Sequence, residues 1–282
     1  MDETGLVLAL SVAMHVTWNL IARQQHPEAY PLWWVLLAHL VLLGPWGFWT
    51  LLHEVQWSPT FVGLLLSSAL ANVLYFIALA KAYEQAAVAF VYPLVRSSPL
   101  LITLWASLLL GQIVDINGWL GIGISVAGLG LIASTARSVG DRRALPWALL
   151  AMLGTSIYSL SDQVATRHID SFMGLVGFLS VGYLCAWLSL TLLLKRRTGS
   201  ALPPRRIHAA AWLVGGLCIG LAYALVIHAM RTLPSAEVVT YTNAGIVLAT
   251  LLSIFWFRER EHWQRRMGGA VVVMLGLAVL AS

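Results

Sequence analysis

Long apolar runs separated by short polar segments cover almost the whole chain. Each run approaches the roughly 20 residues that an α-helix needs to cross the hydrocarbon core of a bilayer. A membrane β-barrel would instead alternate apolar and polar positions. The pattern therefore predicts an all-α polytopic membrane protein with ten transmembrane helices. The ten predicted runs are 4–22, 32–53, 59–81, 87–110, 117–135, 146–166, 171–194, 208–230, 236–256 and 266–282.

Composition excludes the other broad classes. Of the 282 residues, 59% are hydrophobic and only 10% are charged, whereas about a quarter of the residues in a soluble domain are charged. Such a chain cannot cover a water-facing surface, so we exclude soluble globular and disordered proteins and expect a lipid bilayer as its surroundings. The net charge of +5 lies in short clusters between apolar runs, which is typical of loops at a membrane face and does not indicate nucleic acid.

The distribution of these charges predicts an orientation. Fourteen of the 17 Lys and Arg residues lie in loops that follow odd-numbered runs, and only Arg167 and Arg231 lie in loops that follow even-numbered runs. Because cytoplasmic loops carry the excess of positive charge, we expect both termini outside and the Lys195–Arg206 loop in the cytoplasm.

The chain also repeats itself. The segments Gly118–Ser134 and Arg266–Ser282 align without gaps. A similar offset aligns the fourth run with the ninth. We therefore predict two five-helix repeats, 1–135 and 146–282. Because five is an odd number, the two repeats must be inverted in the membrane, an arrangement that places a transporter's substrate site near the midplane between the halves.

Glycines coincide in the two aligned segments. Gly121 aligns with Gly269 and Gly128 with Gly276, and in each segment the two glycines are seven residues apart on one helix face. Small residues on one face let helices approach closely in lipid. We predict that these two helices hold the halves together and carry no chemistry.

The chain resembles the drug/metabolite transporter superfamily, in its ten-helix EamA family. The resemblance covers nearly the whole chain and rests on its length, its duplication and the way each half closes. Each half closes on a glycine-rich helix that follows Gly111-Gln112 in the first half and Arg258-Glu259 in the second. The resemblance implies a transporter of the bacterial inner membrane, working as a monomer or a homodimer.

Two short motifs are similar to those of a bacterial subgroup of this family. The first run contains His-Val-Thr-Trp-Asn from His15 to Asn19, and the fourth contains Tyr-Pro-Leu-Val-Arg from Tyr92 to Arg96. The subgroup has a His-x-x-Trp-Asn and a Tyr-Pro-x-x-Arg signature, and some of its members are associated with phosphonate utilisation.

Arg96 is the clearest candidate for a functional residue. It lies near the middle of its predicted span, where a charge costs about 2.5–3.5 kcal/mol. Its planar guanidinium suits a carboxylate or a phosphonate, and Pro93 and Pro99 on either side free backbone carbonyls and permit a bend. The sequence leaves two interpretations open, contact with an anionic substrate or an internal salt bridge with Asp162.

Two polar stripes flank this position. His15, Trp18 and Asn19 share one face of the first helix, and Tyr158, Ser161 and Asp162 have the same spacing in the sixth. We expect both stripes to face a common cavity. The candidate substrate-binding residues are Arg96, His15, Trp18, Asn19, Asn72, Tyr75, Tyr92, Tyr158, Tyr223 and Asn243.

Asp162 is the only acidic residue well inside a predicted span. A buried carboxyl group can titrate when it is removed from water, so Asp162 is the candidate proton carrier. Pairing with Arg96 would instead leave it ionised.

The chain contains no catalytic motif, no metal-ligand spacing and no phosphate-binding loop. We therefore expect neither enzymatic activity nor a cofactor, and coupling to a gradient or to exchange. The leading hypothesis is a secondary transporter that moves a small polar, anionic or zwitterionic metabolite by alternating access. The alternatives are an exporter of apolar or cationic compounds and a membrane interaction or lipid-handling protein without transport activity.

Overall fold

The computed structural model describes residues 3–110, 113–136, 138–229, 231, 235–258 and 261–280. Gly111, Gln112 and Glu259 of the closing pattern lie outside these ranges. Within them the chain is helical and contains no strand. The helices are α1 (Glu3–Gln24), α2 (Pro31–Leu42), α3 (Gly44–Glu54), α4 (Pro59–Tyr83), α5 (Val88–Arg96), α6 (Ser98–Leu110), α7 (Ile116–Ala133), α8 (Val139–Ala165), α9 (Phe172–Thr198), α10 (Ala209–Ala229), α11 (Ser235–Leu251, continued by a π-helical turn Leu252–Trp256) and α12 (Trp263–Leu280).

The helices make the chain a multi-pass membrane protein. Among the described residues, seven helical segments are long and apolar enough to cross a bilayer. The α2–α3 pair, bent by 57°, forms an eighth if it is one span. The predicted ninth span coincides with α11, whose apolar part Gly245–Trp256 is shorter, and the predicted tenth coincides with α12. The all-helical class is thus confirmed, while the number of ten spans stays a prediction.

Side-chain caps begin several helices at the predicted boundaries. Ser58 accepts a hydrogen bond from the backbone N–H of Phe61 at the start of α4, and Asp115 accepts one from Gly118 at the start of α7. Ser171 does the same for Gly174 in α9. Each cap binds one of the N–H groups that a helix leaves without a partner in its first turn.

The sixth predicted span begins too late. We predicted a break at Pro146, but α8 starts at Val139 and continues through this proline. Ser138 caps the helix by accepting from the N–H of Asp141, and the start of α8 packs tightly on the loop after α4, where a Cβ on Gly140 would lie 2.5 Å from the carbonyl oxygen of Gln85. Pro146 lies inside α8, two turns after its start, where it removes one backbone hydrogen bond without ending the helix.

The two halves pack in a reciprocal pattern. Helix α1 packs on α10 of the second half, and its counterpart α8 packs on α4 of the first half. Helix α2 contacts α10, and its counterpart α9 contacts α4. Helix α1 also contacts α11, and its counterpart α8 contacts α5 and α6. Each contact therefore has a counterpart in which the two halves are exchanged, as expected for a duplicated unit.

The glycine faces show that the repeat is inverted. A Cβ on Gly121 would lie 2.7 Å from the carbonyl oxygen of Gly276, and one on Gly128 would lie 2.9 Å from that of Gly269. Residue numbers thus increase along α7 while those of the contacting residues decrease along α12. The last helices of the two halves are antiparallel and meet through their glycines, as predicted.

One charged residue is misplaced by the sequence analysis. We counted Arg266 among the cytoplasmic loop charges, but its side chain is 1% exposed and forms a 3.0 Å ion pair with the buried Asp141. Arg266 also donates a hydrogen bond to Thr135 Oγ1 and stacks over the Phe90 ring. The pair joins the starts of α8 and α12 to the end of α7, at the junction of the halves.

Candidate functional site

A narrow cavity lies between the two halves. Helices α1, α4 and α5 of the first half contribute to its walls together with α8, α9 and α10 of the second half. It is lined by His15, Trp18, Asn19, Asn72, Tyr75, Phe76, Tyr92, Val95, Arg96, Thr155, Tyr158, Tyr183, Ile219 and Tyr223. We refer to it as the central cavity.

Nine of the ten candidate substrate-binding residues line the central cavity. The exception is Asn243, which is buried on α11 and does not line it. Helix α11 still lies behind the wall, because a Cβ on its Gly245 would be 3.1 Å from the Tyr92 hydroxyl oxygen. Phe76 and Tyr183 also line the cavity, and their rings stack edge-to-face with centroids 5.3 Å apart. Sequence patterns could not single them out, because a lone aromatic residue in an apolar run gives no signal.

Arg96 is held at a break in its helix. Helix α5 ends at this residue, and α6 begins at Ser98, so the helix is interrupted between Pro93 and Pro99. The Ser97 hydroxyl donates a 2.7 Å hydrogen bond to the carbonyl oxygen of Pro93. The side chain of Arg96 folds back along the helix, where its Nε lies 3.3 Å from the Tyr92 hydroxyl oxygen and its Cζ lies 5.7 Å from the Tyr92 ring centroid.

The guanidinium of Arg96 is not neutralised by Asp162. Among the described residues, its buried Nη2 has no hydrogen-bond partner, and neither do the two carboxylate oxygens of Asp162. The side chain of Tyr158 lies close to both groups. The internal salt bridge that the sequence left open is therefore not formed in this conformation.

Among the described residues, two buried donors without partners line the central cavity, Arg96 Nη2 and Trp18 Nε1. The indole Nε1 of Trp18, which also lines the central cavity, is buried without a hydrogen-bond partner, and so is the amide Nδ2 of Asn243 on the adjacent α11. Buried donors without acceptors cost about 1–3 kcal/mol each. Their number favours a ligand that supplies acceptor oxygens.

Asp162 lies behind the wall of the central cavity. It is completely buried on α8 and does not line the cavity. The hydroxyls of Ser68 and Tyr223 face its carboxyl group without meeting hydrogen-bond geometry. Because Tyr223 lines the cavity and also faces the carboxyl group, it is one of the side chains between Asp162 and the cavity interior.

The polar residues of α1 are held by ordered contacts. Asn19 donates a 2.8 Å hydrogen bond to the carbonyl oxygen of His15. Its own Oδ1 accepts a 2.6 Å hydrogen bond from the Tyr83 hydroxyl. His15 is bonded to Ser11 one turn earlier. The stripe predicted on α1 thus faces the cavity, and hydrogen bonds orient its His15 and Asn19 side chains.

A second cavity lies at the end of the bundle where α1 and α4 finish and α2 begins. It is mostly apolar, with Arg23, Lys81 and Arg197 among its lining residues. Tyr83 lines this second cavity, whereas its partner Asn19 lines the central one. No group of three His, Cys, Asp or Glu side chains in the described part of the chain is placed to hold a metal ion.

Comparison with known proteins identifies the class and then the family. A protein of known crystal structure matches with a TM-score of 0.63 and 18% identity over 98% of this chain and 97% of that one, which establishes a shared fold. No curated protein sequence matches. The model of the EamA-like transporter family matches twice, at residues 4–134 and 142–282. The chain is a multi-pass membrane protein with two EamA repeats, and it belongs to the EamA-like transporter family.

Proposed function

We propose that the protein is a secondary transporter that moves a small polar, anionic or zwitterionic metabolite across the bacterial inner membrane by alternating access. The observation that supports this most directly is the Arg96 guanidinium. It borders a cavity between the repeats, and one of its nitrogens is buried without a partner in the described part of the chain. A carboxylate or phosphonate would satisfy that nitrogen and accept from a planar pair of donors. Midplane sites between inverted repeats are a general feature of secondary transporters.

Asp162 is the proton carrier in this proposal. Burial without a donor costs far more free energy for an ionised carboxylate than for the protonated group, so substrate-linked opening toward water would change the charge of Asp162. The Tyr223 side chain faces both Asp162 and the cavity interior. In this proposal it links substrate binding in the cavity to protonation of Asp162. The proposal assigns the protein no enzymatic activity and no ATP-binding site.

The orientation is part of the same proposal. Arg23 donates to the carbonyl oxygen of Ala86, which places the ends of α1 and α4 at one face. Lys81 stacks on Trp147 near the start of α8, so α8 ends at the opposite face. Arg231 binds backbone carbonyls at that opposite end. The basic face would be cytoplasmic, with both termini outside.

Fusions at the C-terminus test this orientation. With the C-terminus outside, alkaline phosphatase fused after residue 282 should be active. A fluorescent protein fused at the same position should not fluoresce. Strong fluorescence beside an inactive phosphatase would reverse the assignment.

Ligand-induced thermal stabilisation of the purified protein tests the function. The panel should contain small carboxylates and phosphonates with and without amino groups, apolar and quaternary-ammonium compounds, and anionic phospholipids. Stabilisation by the small anions, lost in Arg96→Gln, is the expected result. Stabilisation by apolar or cationic compounds alone would support an exporter of those compounds, and stabilisation by phospholipids alone would support lipid handling.

A further inference from the structure

The contacts of His15 define which ring nitrogen carries the proton. Its Nδ1 lies 3.0 Å from the carbonyl oxygen of Ser11 and 3.3 Å from the Ser11 hydroxyl oxygen. A carbonyl oxygen can only accept. The Ser11 hydroxyl donates its single proton to the carbonyl oxygen of Ala222, at 2.7 Å, so toward His15 it can only accept as well. Both neighbours of Nδ1 are acceptors, and Nδ1 must therefore be the protonated nitrogen.

The other ring nitrogen is then an acceptor in the central cavity. His15 lines that cavity, and its hydrogen bonds to described residues are made by Nδ1. The guanidinium of Arg96 lies close enough to act on the ring electrostatically, and a second positive charge beside it would be repelled. With the ring neutral and Nδ1 protonated, Nε2 keeps a lone pair for a donor.

The central cavity thus offers complementary groups. Arg96 and the Trp18 indole supply donors without partners, and His15 Nε2 supplies an acceptor. A simple anion would satisfy the donors alone. A molecule that carries an anionic group and, separately, an N–H or O–H group would satisfy both, and a site built around a hydrogen bond strongly rejects analogues that lack the matching group.

We propose that Ser11 is a positioning residue that fixes the His15 tautomer, so that His15 Nε2 accepts a hydrogen bond from a donor group of the anionic substrate held by Arg96. This rests on the proposed function and narrows its substrate to bifunctional molecules such as amino or hydroxy acids. The Ser11 hydroxyl reaches Ala222 on α10 of the second half. The acceptor is therefore assembled across both repeats.

Matched ligands test the proposal on the purified full chain. The probes are ω-amino and ω-hydroxy carboxylates of two to five carbons, each compared with the isostere in which a methyl group replaces the amino or hydroxyl group. At least one donor compound should bind the wild type about tenfold or more tightly than its isostere. In Ser11→Ala, the ratio of the affinities for the donor compound and its isostere should fall toward one. The affinity for the isostere itself should change little. Thr17→Ala is the control, because the Thr17 hydroxyl bonds only one turn back to the carbonyl oxygen of Ala13.

Two variants of His15 separate its nitrogens. The amide oxygen of glutamine can replace an acceptor at the Nε2 position, whereas asparagine reaches only the Nδ1 position. His15→Gln should keep part of the preference for donor compounds, and His15→Asn should lose it. Nitrogen-15 NMR of histidine-labelled protein should show His15 protonated at Nδ1 in the wild type and a changed tautomer population in Ser11→Ala.

The outcomes distinguish this inference from the function on which it rests. If neither a carboxylate of the series nor a phosphonate of the panel binds the wild type, or if binding is unaffected in Arg96→Gln, the proposed function fails. If carboxylates bind through Arg96 but the isosteres bind as tightly as the donor compounds, only the present inference is overturned. Protonation of His15 at Nε2 in the wild type would overturn it as well.

Discussion

Tyr83 and Asn19 are joined by a 2.6 Å hydrogen bond from the Tyr83 hydroxyl to Asn19 Oδ1. Tyr83 ends α4 and lines the second cavity at the basic end of the bundle, whereas Asn19 lines the central cavity. The bond therefore lies in the partition between the two cavities. Any passage from one to the other near α1 has to separate these two side chains.

Tyr83→Phe should make the partition easier to open. A net hydrogen bond contributes about 1 kcal/mol, which corresponds to roughly a fivefold change in an equilibrium. With Cys185 and Cys218 replaced by alanine, a cysteine at Thr155 in the central cavity should react severalfold faster with a membrane-impermeant thiol reagent added at the basic face. Tyr183→Phe is the control, because the Tyr183 hydroxyl bonds the Ile219 carbonyl oxygen. Equal rates in both variants would refute the partition.

Substitution of Arg96 should weaken anion binding without preventing folding. Arg96→Lys keeps the charge but loses the planar fork, so affinity for the best-binding carboxylate or phosphonate should fall by roughly tenfold or more. The affinity of Arg96→Gln should be lower still, and this variant should still purify as a monodisperse species. Arg197→Lys, at the exposed pair with Glu84, is the control. Wild-type transport by Arg96→Gln would eliminate Arg96 as the anion site.

Asp162→Asn should separate proton coupling from substrate movement. If Asp162 carries the proton, the variant should lose uptake driven by a pH gradient in proteoliposomes and retain exchange of substrate for substrate. Asp170→Asn changes an exposed acidic residue beyond the end of the same helix and should behave as the wild type. Unchanged pH-driven uptake in Asp162→Asn would leave this residue a structural role only.

Asp141→Asn should destabilise the junction of the halves. It leaves the Arg266 guanidinium buried without its 3.0 Å carboxylate partner, and breaking a buried pair costs about 3–5 kcal/mol. The free energy of unfolding in detergent should fall accordingly. Arg142→Gln, at the exposed neighbouring position, should change it little. If Asp141→Asn unfolds like the wild type, the pair is not what holds these helix ends together.

Gly128→Ala should separate α7 from α12. The new methyl group would lie 2.6 Å from the backbone nitrogen of Val273, and backbone cannot move aside as a side-chain end can, so we expect a loss of about 1–3 kcal/mol. Gly130→Ala on the same helix meets nothing within 4 Å and should be neutral or stabilising by up to about 1 kcal/mol. The stabilities of the two variants are compared by thermal unfolding. Equal stability would contradict the antiparallel contact of α7 with α12.

Much of the fold could be predicted because hydropathy and periodicity are local properties. A run of apolar residues specifies a membrane helix whatever surrounds it. The repeat could be recognised from the aligned glycines of Gly118–Ser134 and Arg266–Ser282, because small residues are needed wherever two helix backbones are in contact. Arg96 could be singled out by its cost in lipid alone, and the spacing of His15 and Asn19 placed them on one face.

Only the tertiary structure decided which polar groups meet. The sequence allowed Arg96 to pair with Asp162, but packing leaves both without that partner. It placed Arg266 in a loop, whereas the meeting of α7, α8 and α12 buries it against Asp141. The roles of Ser11 and Tyr83 depend on side chains or backbone more than 60 residues away along the chain. Such contacts follow from the rotation and depth of each helix within the bundle, which a pattern along one helix does not contain.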